Sequence, residues 1–466
     1  MASSNKYQKW EINDFSEGIV DKIVDDHLTP NAFPDAQNFI ATKYGSVKTR
    51  NGQRHLNEKK LPGRVQGLYS YYGNDKRQII AVAGGKGFLW NQINFQFNEI
   101  KAELNQSVPV RFETCVNYMV AANGVNPPWK WDGEVSSYLD GAPADGQLPT
   151  LYKEKLFLVP RSDPSMMVWS KSFYPEDWTD LQNYMYVNEG DGDIITNLCC
   201  FMDELVIFKR HSIHILLGSD KSNFRLTSPE TKVGAVGPHA VTRLQNTLYF
   251  IADDGLYAWN GMSATNLVRE RIPGIWEKIN LEYIDKAAVV SWKGMVWFAL
   301  PEKPSINNNM VLVYIPLEDG GKWWVWRGIE ASCFSIFNSG DENILFSGDV
   351  FGYVNQQDVG TSDFGQPISA YIVSPTLDKD PEVLKYFTLL QVMDSPEIDN
   401  VDVQTAFDYG EFAPLVSHDG DDLVRTYRFY DTYKGRVLQV KLLYNGSDTC
   451  EVRGFKVYYD KVRIPR

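Results

Sequence analysis

The amino-acid sequence predicts an all-β fold, a β-propeller of about seven blades followed by a C-terminal β-sandwich. Three observations predict it. A phrase of apolar strand, tight polar turn, second apolar strand, turn and third strand recurs between about Arg64 and Asp363. Its copies follow one another at blade spacing, and the last hundred residues lose the phrase in favour of longer alternations. At 466 residues the chain exceeds the size at which a single core stops growing, so a repeat architecture with an appendage accounts for its length.

Residues 1–63 read as an N-terminal arm and a lead-in strand. They are rich in Asp, Asn, Pro and basic residues, with only brief apolar pairs such as Ile19-Val20 and Ile23-Val24. The basic clusters Lys48 to Arg54 and Lys59 to Arg64 are read as solvated parts of that arm.

Residues 64–363 are assigned to the propeller. The first copy runs Leu68-Tyr69-Ser70-Tyr71-Tyr72, Ile79-Ile80-Ala81-Val82 and Phe88-Leu89-Trp90-Asn91, with turns at Gly73-Asn74-Asp75-Lys76 and Gly84 to Gly87. β-Branched and aromatic residues between such punctuation are the signature of hairpin strands. The clearest copy is Leu248-Tyr249-Phe250-Ile251, turn Asp253-Asp254-Gly255, then Leu256 to Gly261, because Asp-Gly between apolar strands is a strong hairpin signal. Second strands begin near Ile79, Met119, Leu156, Leu205, Leu248, Val296 and Ile344, so successive copies lie 37 to 49 residues apart. Four-stranded blades repeat at roughly 40 to 45 residues, and stacking them radially buries faces that no blade buries alone. The competing architecture is a pair of unrelated antiparallel sandwiches.

Residues 364–466 are assigned to the sandwich on alternations such as Val437 to Tyr444 and Gly454 to Tyr459. Helix is scarce, with Gly274 to Asn280 and Glu382 to Tyr386 expected as short turns.

A formal net charge of -13 argues against a nucleic-acid binder, since no basic face stands out to offset repulsion of phosphates. Five scattered cysteines, Cys115, Cys199, Cys200, Cys333 and Cys450, suit buried free thiols better than disulfides. Met1 to Lys6 lack a signal peptide's apolar region and no run approaches a membrane span, so synthesis and folding in a reducing cytoplasm are expected.

No catalytic constellation is legible. Gly85-Lys86 is followed by Gly87, where a phosphate-binding loop has Ser or Thr, and G-x-S-x-G, H-E-x-x-H and C-x-x-C patterns are missing from the sequence. His211 and His214 would point to opposite faces of a strand. Ser347 to Gly352 approximates the aspartate turn of sialidases but places its glycine one residue late. Trp323-Trp324-Val325-Trp326 is either packing between blades or a stacking platform for sugars. The acidic loop Glu189-Gly190-Asp191-Gly192-Asp193 offers hard oxygen ligands, and whether Glu189, Asp191 and Asp193 hold an ion stays open. No catalytic, cofactor-binding or metal-binding residue is assigned, and the expectation is a protein that is not an enzyme and uses no cofactor.

Three segments resemble the β-propeller tail proteins of bacteriophages, in particular the nozzle or tail-tube proteins of short-tailed phages. They are Phe15 to Ile19 through Asn38-Phe39 and Gly45 to Gly52; Asn246 to Phe250 through Trp259-Asn260-Gly261; and Phe346 to Asp349 with Tyr353, Asp358, Asp363 and Gly365. Gly18 stands alone where the family often has two glycines. The resemblance implies a virion protein of the tail, assembled in the host bacterial cytoplasm as a homo-oligomeric, six-fold ring. Its implied neighbours are a head-tail adaptor or connector ring and tail fibre or spike proteins, with viral DNA passing through the lumen without sequence-specific binding. The insertions Phe173 to Ile194 and Arg269 to Ile284 are expected at subunit contacts. The alternative is a receptor- or glycan-binding tail propeller, less readily a glycan-degrading one.

Overall fold

A computed structural model describes residues 8–22, 27–229, 231–317, 320–377, 382–394, 401–415, 419–421, 424–429 and 433–462. The pair Ile23-Val24 lies outside them. The described residues are almost wholly β, with one short α-helix, Pro273–Glu277, and one 3-10 turn, Leu281–Lys286. No described helix is long and apolar enough to cross a membrane.

Seven four-stranded antiparallel sheets are found among the described residues. In the first, Val65–Gly73, Lys76–Ala83, Lys86–Asn91 and Gln96–Lys101 lie side by side in chain order. The first strands of successive sheets pack together, Arg111–Cys115 against Gly146–Tyr152 and Gly146–Tyr152 against Ile195–Phe201. Phe208 meets Phe250 at 5.2 Å between the fourth and fifth sheets, and Cys333–Asn338 of the seventh returns to Val65–Gly73 of the first. The sheets therefore form a closed ring, an arrangement consistent with a β-propeller.

Burial follows from this stacking. Second strands such as Lys155–Pro160 and Thr247–Ala252 are buried along nearly their whole length, because neighbouring sheets cover both faces. That is why the sequence shows continuous apolar runs there instead of alternation. Outermost strands such as Tyr184–Tyr186 and Arg225–Thr227 are largely exposed and polar or aromatic. In the first six sheets the first and second strands are joined by two-residue turns. Asn74-Asp75, Lys153-Glu154, Met202-Asp203 and Lys293-Gly294 all sit at positive φ, the turn geometry that matches the right-handed twist of paired strands.

The seventh sheet takes its outer strand from the other end of the sequence. Gln53–His55 pairs antiparallel with Val354–Gln357, so a strand that precedes the first sheet is laced into the seventh. The remaining strands form a parallel pair, Gly18–Ile19 with Ala32–Phe33, and two larger sheets. One contains Lys385–Asp394 and Glu451–Lys461, and the other Val401–Phe407, Leu438–Gly446 and Ile368–Val373. Phe387 of the first and Phe407 of the second stand 5.4 Å apart in the shared core.

The expected arm is corrected by these pairings. Gln8–Ile12 and Val47–Thr49 both pair with Glu451–Lys461, Asp35–Gln37 pairs with Ile368–Val373, and Gly18–Ile19 packs on Lys322–Arg327. Strands of two to five residues carry too little periodicity to be seen in sequence, yet each is fixed by a partner hundreds of positions away. The solvated reading of Lys48 to Arg54 fails at Arg50, whose side chain is fully buried. The insertion Arg269 to Ile284 likewise turns inward, with Ile272, Ile275, Ile279 and Ile284 in the core.

Arg50 spends all five of its N–H groups at this junction. Its Nε donates to Asn38 Oδ1 at 3.0 Å, Nη1 to Asn51 O at 2.9 Å and Asp363 Oδ1 at 3.0 Å, and Nη2 to Arg327 O at 2.9 Å and to Asp363 Oδ2. Asn38 donates its N–H to Val325 O at 2.9 Å and its side-chain amide to Ser369 O at 2.8 Å. Two glycines allow the approach: a Cβ at Gly52 would fall 1.9 Å from Ser362 O, and one at Gly18, where φ is 67°, would fall 2.7 Å from Trp323 O. Removing one partner of a buried, hydrogen-bonded charge pair leaves the other uncompensated. Arg50→Met is accordingly expected to lower the unfolding free energy by about 3 to 5 kcal/mol. Denaturant unfolding of both proteins checks it, and an unchanged midpoint would rule out a stabilising role for Arg50.

Candidate functional site

The residues singled out in the sequence are mostly occupied by structural work. Lys209, fully buried in the second strand of the fourth sheet, donates from Nζ to both carboxylate oxygens of Asp191 at 2.6 and 2.7 Å. The cation facing Asp191 is thus a lysine ammonium. Asp193 accepts backbone N–H groups of Ile194, Arg210 and His211, each at 3.0 Å, and so ties its loop to the next turn. Glu189 is exposed, and no group of three or more His, Cys, Asp or Glu fit to hold a metal occurs among the described residues.

His211 and His214 are kept apart. His211 stands in a turn beside Asp193 and Asp253, whereas His214 is buried between Ser212 Oγ at 3.0 Å and Ser228 Oγ at 2.6 Å. Asp349 closes its own hairpin by accepting from the N–H groups of Phe351 and Tyr353 at 2.8 and 2.9 Å. A Cβ at Gly84 would meet Pro62 O at 2.0 Å, so the glycines of Gly84 to Gly87 serve chain packing, and Lys86 pairs with Glu99.

The platform reading of Trp323 to Trp326 fails. All three indoles are buried on the outer strand of the sixth sheet, Trp326 donating to Phe39 O at 3.1 Å, because the N-terminal strands cover that edge. The cysteines form no disulfide, but Cys200 is exposed, against expectation, because it and Cys199 face opposite sides of an inner strand.

The arrangement that sequence reading missed lies at the inner ends of the second, third and fourth sheets. A cavity of about 460 Å3 is lined there by Arg111, Arg161 and Arg210, by Asn123, Gln147 and Thr196, and by the 236–238 linker and Asp285. Arg210 is held by Asp253 at 3.0 and 2.6 Å. Arg111 has no hydrogen-bond or ion-pair partner among the described residues, and its Nε is buried. Burial lowers its affinity for its proton, partly offset by the negative field of Glu113. Arg64 is lowered by burial in the same way, and His239, near both guanidiniums, is depressed to about 3, first by burial and then by Arg111. Burial pushes the Glu113 carboxyl up to about 7, against hydrogen bonds from the Leu151 and Thr114 backbones and the attraction of Arg111. These residues sit singly in different strands, so no motif announces them.

What this cavity offers chemically is cationic donors; no nucleophile paired with a base lines it. No family model and no curated protein matches the chain. Among solved structures, it is similar to a computationally designed protein called Ika8, with a TM-score of 0.43 and 12% identity over 66% of this chain and 100% of that one. It is also similar to BBS1N from a complex with ARL6DN, with a TM-score of 0.45 and 11% identity over 66% of this chain and 97% of that one.

Glu113 yields a pH dependence. Its folded-state value near 7 lies above the ordinary 4.5, so the folded chain holds this proton more tightly than the unfolded one. Its contribution to stability therefore falls as pH rises from about 4.5 to 7 and stays low above that. Glu113→Gln is expected to match the parent at pH 4 and to exceed it by about 1 to 2 kcal/mol at pH 8, allowing for solvent screening. Denaturant unfolding at both values checks this, and an identical difference at the two would contradict it.

Proposed function

We propose that this chain is a structural protein of a bacteriophage tail, a seven-bladed β-propeller carrying a two-sheet β-sandwich. In this reading it forms a homo-oligomeric ring, six-fold by resemblance, that continues the DNA ejection channel from the head-tail connector. Adaptor or connector subunits lie on one side and fibre or spike proteins on the other. The observation that carries the reading is a convergence. Two of the three segments that resemble the tail proteins meet at one junction, where Arg50 pairs with Asp363 and Asn51 Nδ2 donates to Asp358 at 2.7 Å. Residues that carry the resemblance are thus among those that join the ring to the two-sheet unit, which supports the reading.

Two further observations support it. A net charge of -13 favours a wall along which DNA slides without being retained. The insertion Phe173 to Ile194 exposes Phe173, Tyr174, Leu181, Tyr184 and Tyr186, an apolar patch of the kind that subunit interfaces cover. A closed cyclic ring needs such a patch to meet a different one on the next copy.

The second reading, a receptor- or glycan-binding propeller, is favoured by one feature of that same region. Tyr118, Phe173 and Tyr174 line an open cleft of about 400 Å3 with Glu176, Asp177 and Thr179, and aromatic faces beside polar groups suit sugars. Imaging of intact particles separates the two: a ring at the head-proximal tail is expected, and a single copy or a place on a peripheral fibre would overturn the structural role. Leu181→Asp combined with Tyr184→Asp is expected to prevent ring formation in native mass spectrometry while leaving the monomer folded. Depolymerisation of host surface glycans by the purified chain would sink the non-enzymatic reading.

A further inference from the structure

We propose that the cavity over Arg111 is a binding site for a small tetrahedral oxyanion, a phosphate or a compound bearing one. The inference rests on the cavity alone and is independent of any role in a virion. The lining sets three arginines against one acid, Asp285, and draws on three different sheets. Arg210 already has Asp253 and Arg161 stands at the exposed rim, but Arg111 faces the space with no partner among the described residues.

A guanidinium withdrawn from water needs either an ion pair or hydrogen-bond acceptors, and leaving it without them is costly. Three other buried or half-buried cations meet the rule. Arg50 has Asp363, Lys209 has Asp191 and Arg327 has Glu302, its Nε and Nη2 donating at 3.0 and 2.7 Å. The Arg111 side chain has no such partner among the described residues, and its Nε is buried. Glu113, two residues along the same strand, forms no ion pair with it, and its own carboxyl is pushed toward the neutral form by burial.

A guanidinium fork grips two oxygens at once, and an oxyanion with oxygens in four directions meets donors arriving from several sheets, which a planar carboxylate does less well. Asn123 and Gln147 add neutral polar side chains to the lining. The volume exceeds that of a bare phosphate, leaving room for a substituent on it.

Calorimetric titration of the full chain with inorganic phosphate, and separately with succinate, in chloride buffer tests the site. Saturable binding of one phosphate per chain is expected, with succinate weaker. Arg111→Met keeps the aliphatic stem and removes the fork, and it is expected to weaken phosphate about tenfold or more. Arg54→Gln, on the outer strand of the seventh sheet, is expected to leave binding unchanged. No saturable phosphate binding, or equal binding by Arg111→Met, overturns the proposal; preference for succinate overturns the phosphate assignment. Should Arg111→Met fail to fold, diffusion of tungstate into crystals of the parent protein decides the matter. Density against Arg111 supports the site, and density only elsewhere refutes it.

Discussion

One fully buried guanidinium, that of Arg50, is the interaction on which the arrangement of this chain depends. Its five donors reach the N-terminal segment through Asn38 and Asn51, the sixth sheet through Arg327, and the exit from the seventh sheet through Asp363. A charge is expensive to bury, and the expense is offset here because every donor has an acceptor. Such a network tolerates few alternative geometries, so it fixes how the ring and the two-sheet unit meet. An apolar joint of equal area would have allowed them to slide.

The same economy explains the crowded backbone around it. Gly18 and Gly52 bring main chain against main chain at Trp323 and Ser362, where any Cβ would collide. Trp323, Trp324 and Trp326 of the sixth sheet fill the space behind, Trp326 in edge contact with Trp297 of the same sheet at 4.9 Å. Polar pinning and aromatic filling act together: the first sets orientation, and the second removes water that would weaken the charge pairs.

Away from the junction the ring itself is held by repetition. Each second strand is buried by the neighbours on either side, so the stability of any sheet is shared with the next. Closure by Gln53–His55 matters for this reason. A ring whose first and last sheets were joined only by side chains would open at that seam, whereas a strand shared between the ends adds main-chain hydrogen bonds across it. Two buried polar centres stand out within this apolar scaffold. Lys209 with Asp191 is self-sufficient, whereas the inner cavity sets Arg111, Arg161 and Arg210 against the single acid Asp285, which makes it different in kind from the rest of the core.

The sequence by itself determined the all-β character, the recurring strands and their turns. These are local properties: a second strand such as Leu248 to Ile251 is apolar throughout, and its turn residues are polar, whatever lies across the fold. It also displayed Asp193, Asp349 and Gly85 as candidates for chemistry, and only the tertiary structure decided that each closes a turn or a close approach. The N-terminal strands were illegible because two to five residues show no period, and their partners, such as Val452 for Val47, lie at the far end of the chain. Arg50 sits in the basic cluster Lys48 to Arg54 and Arg111 between Val110 and Phe112, and neither setting reveals a partner. The fold gave one of them Asp363 and left the other facing a cavity, because burial and partnership are set by residues distant in sequence, which no local pattern encodes.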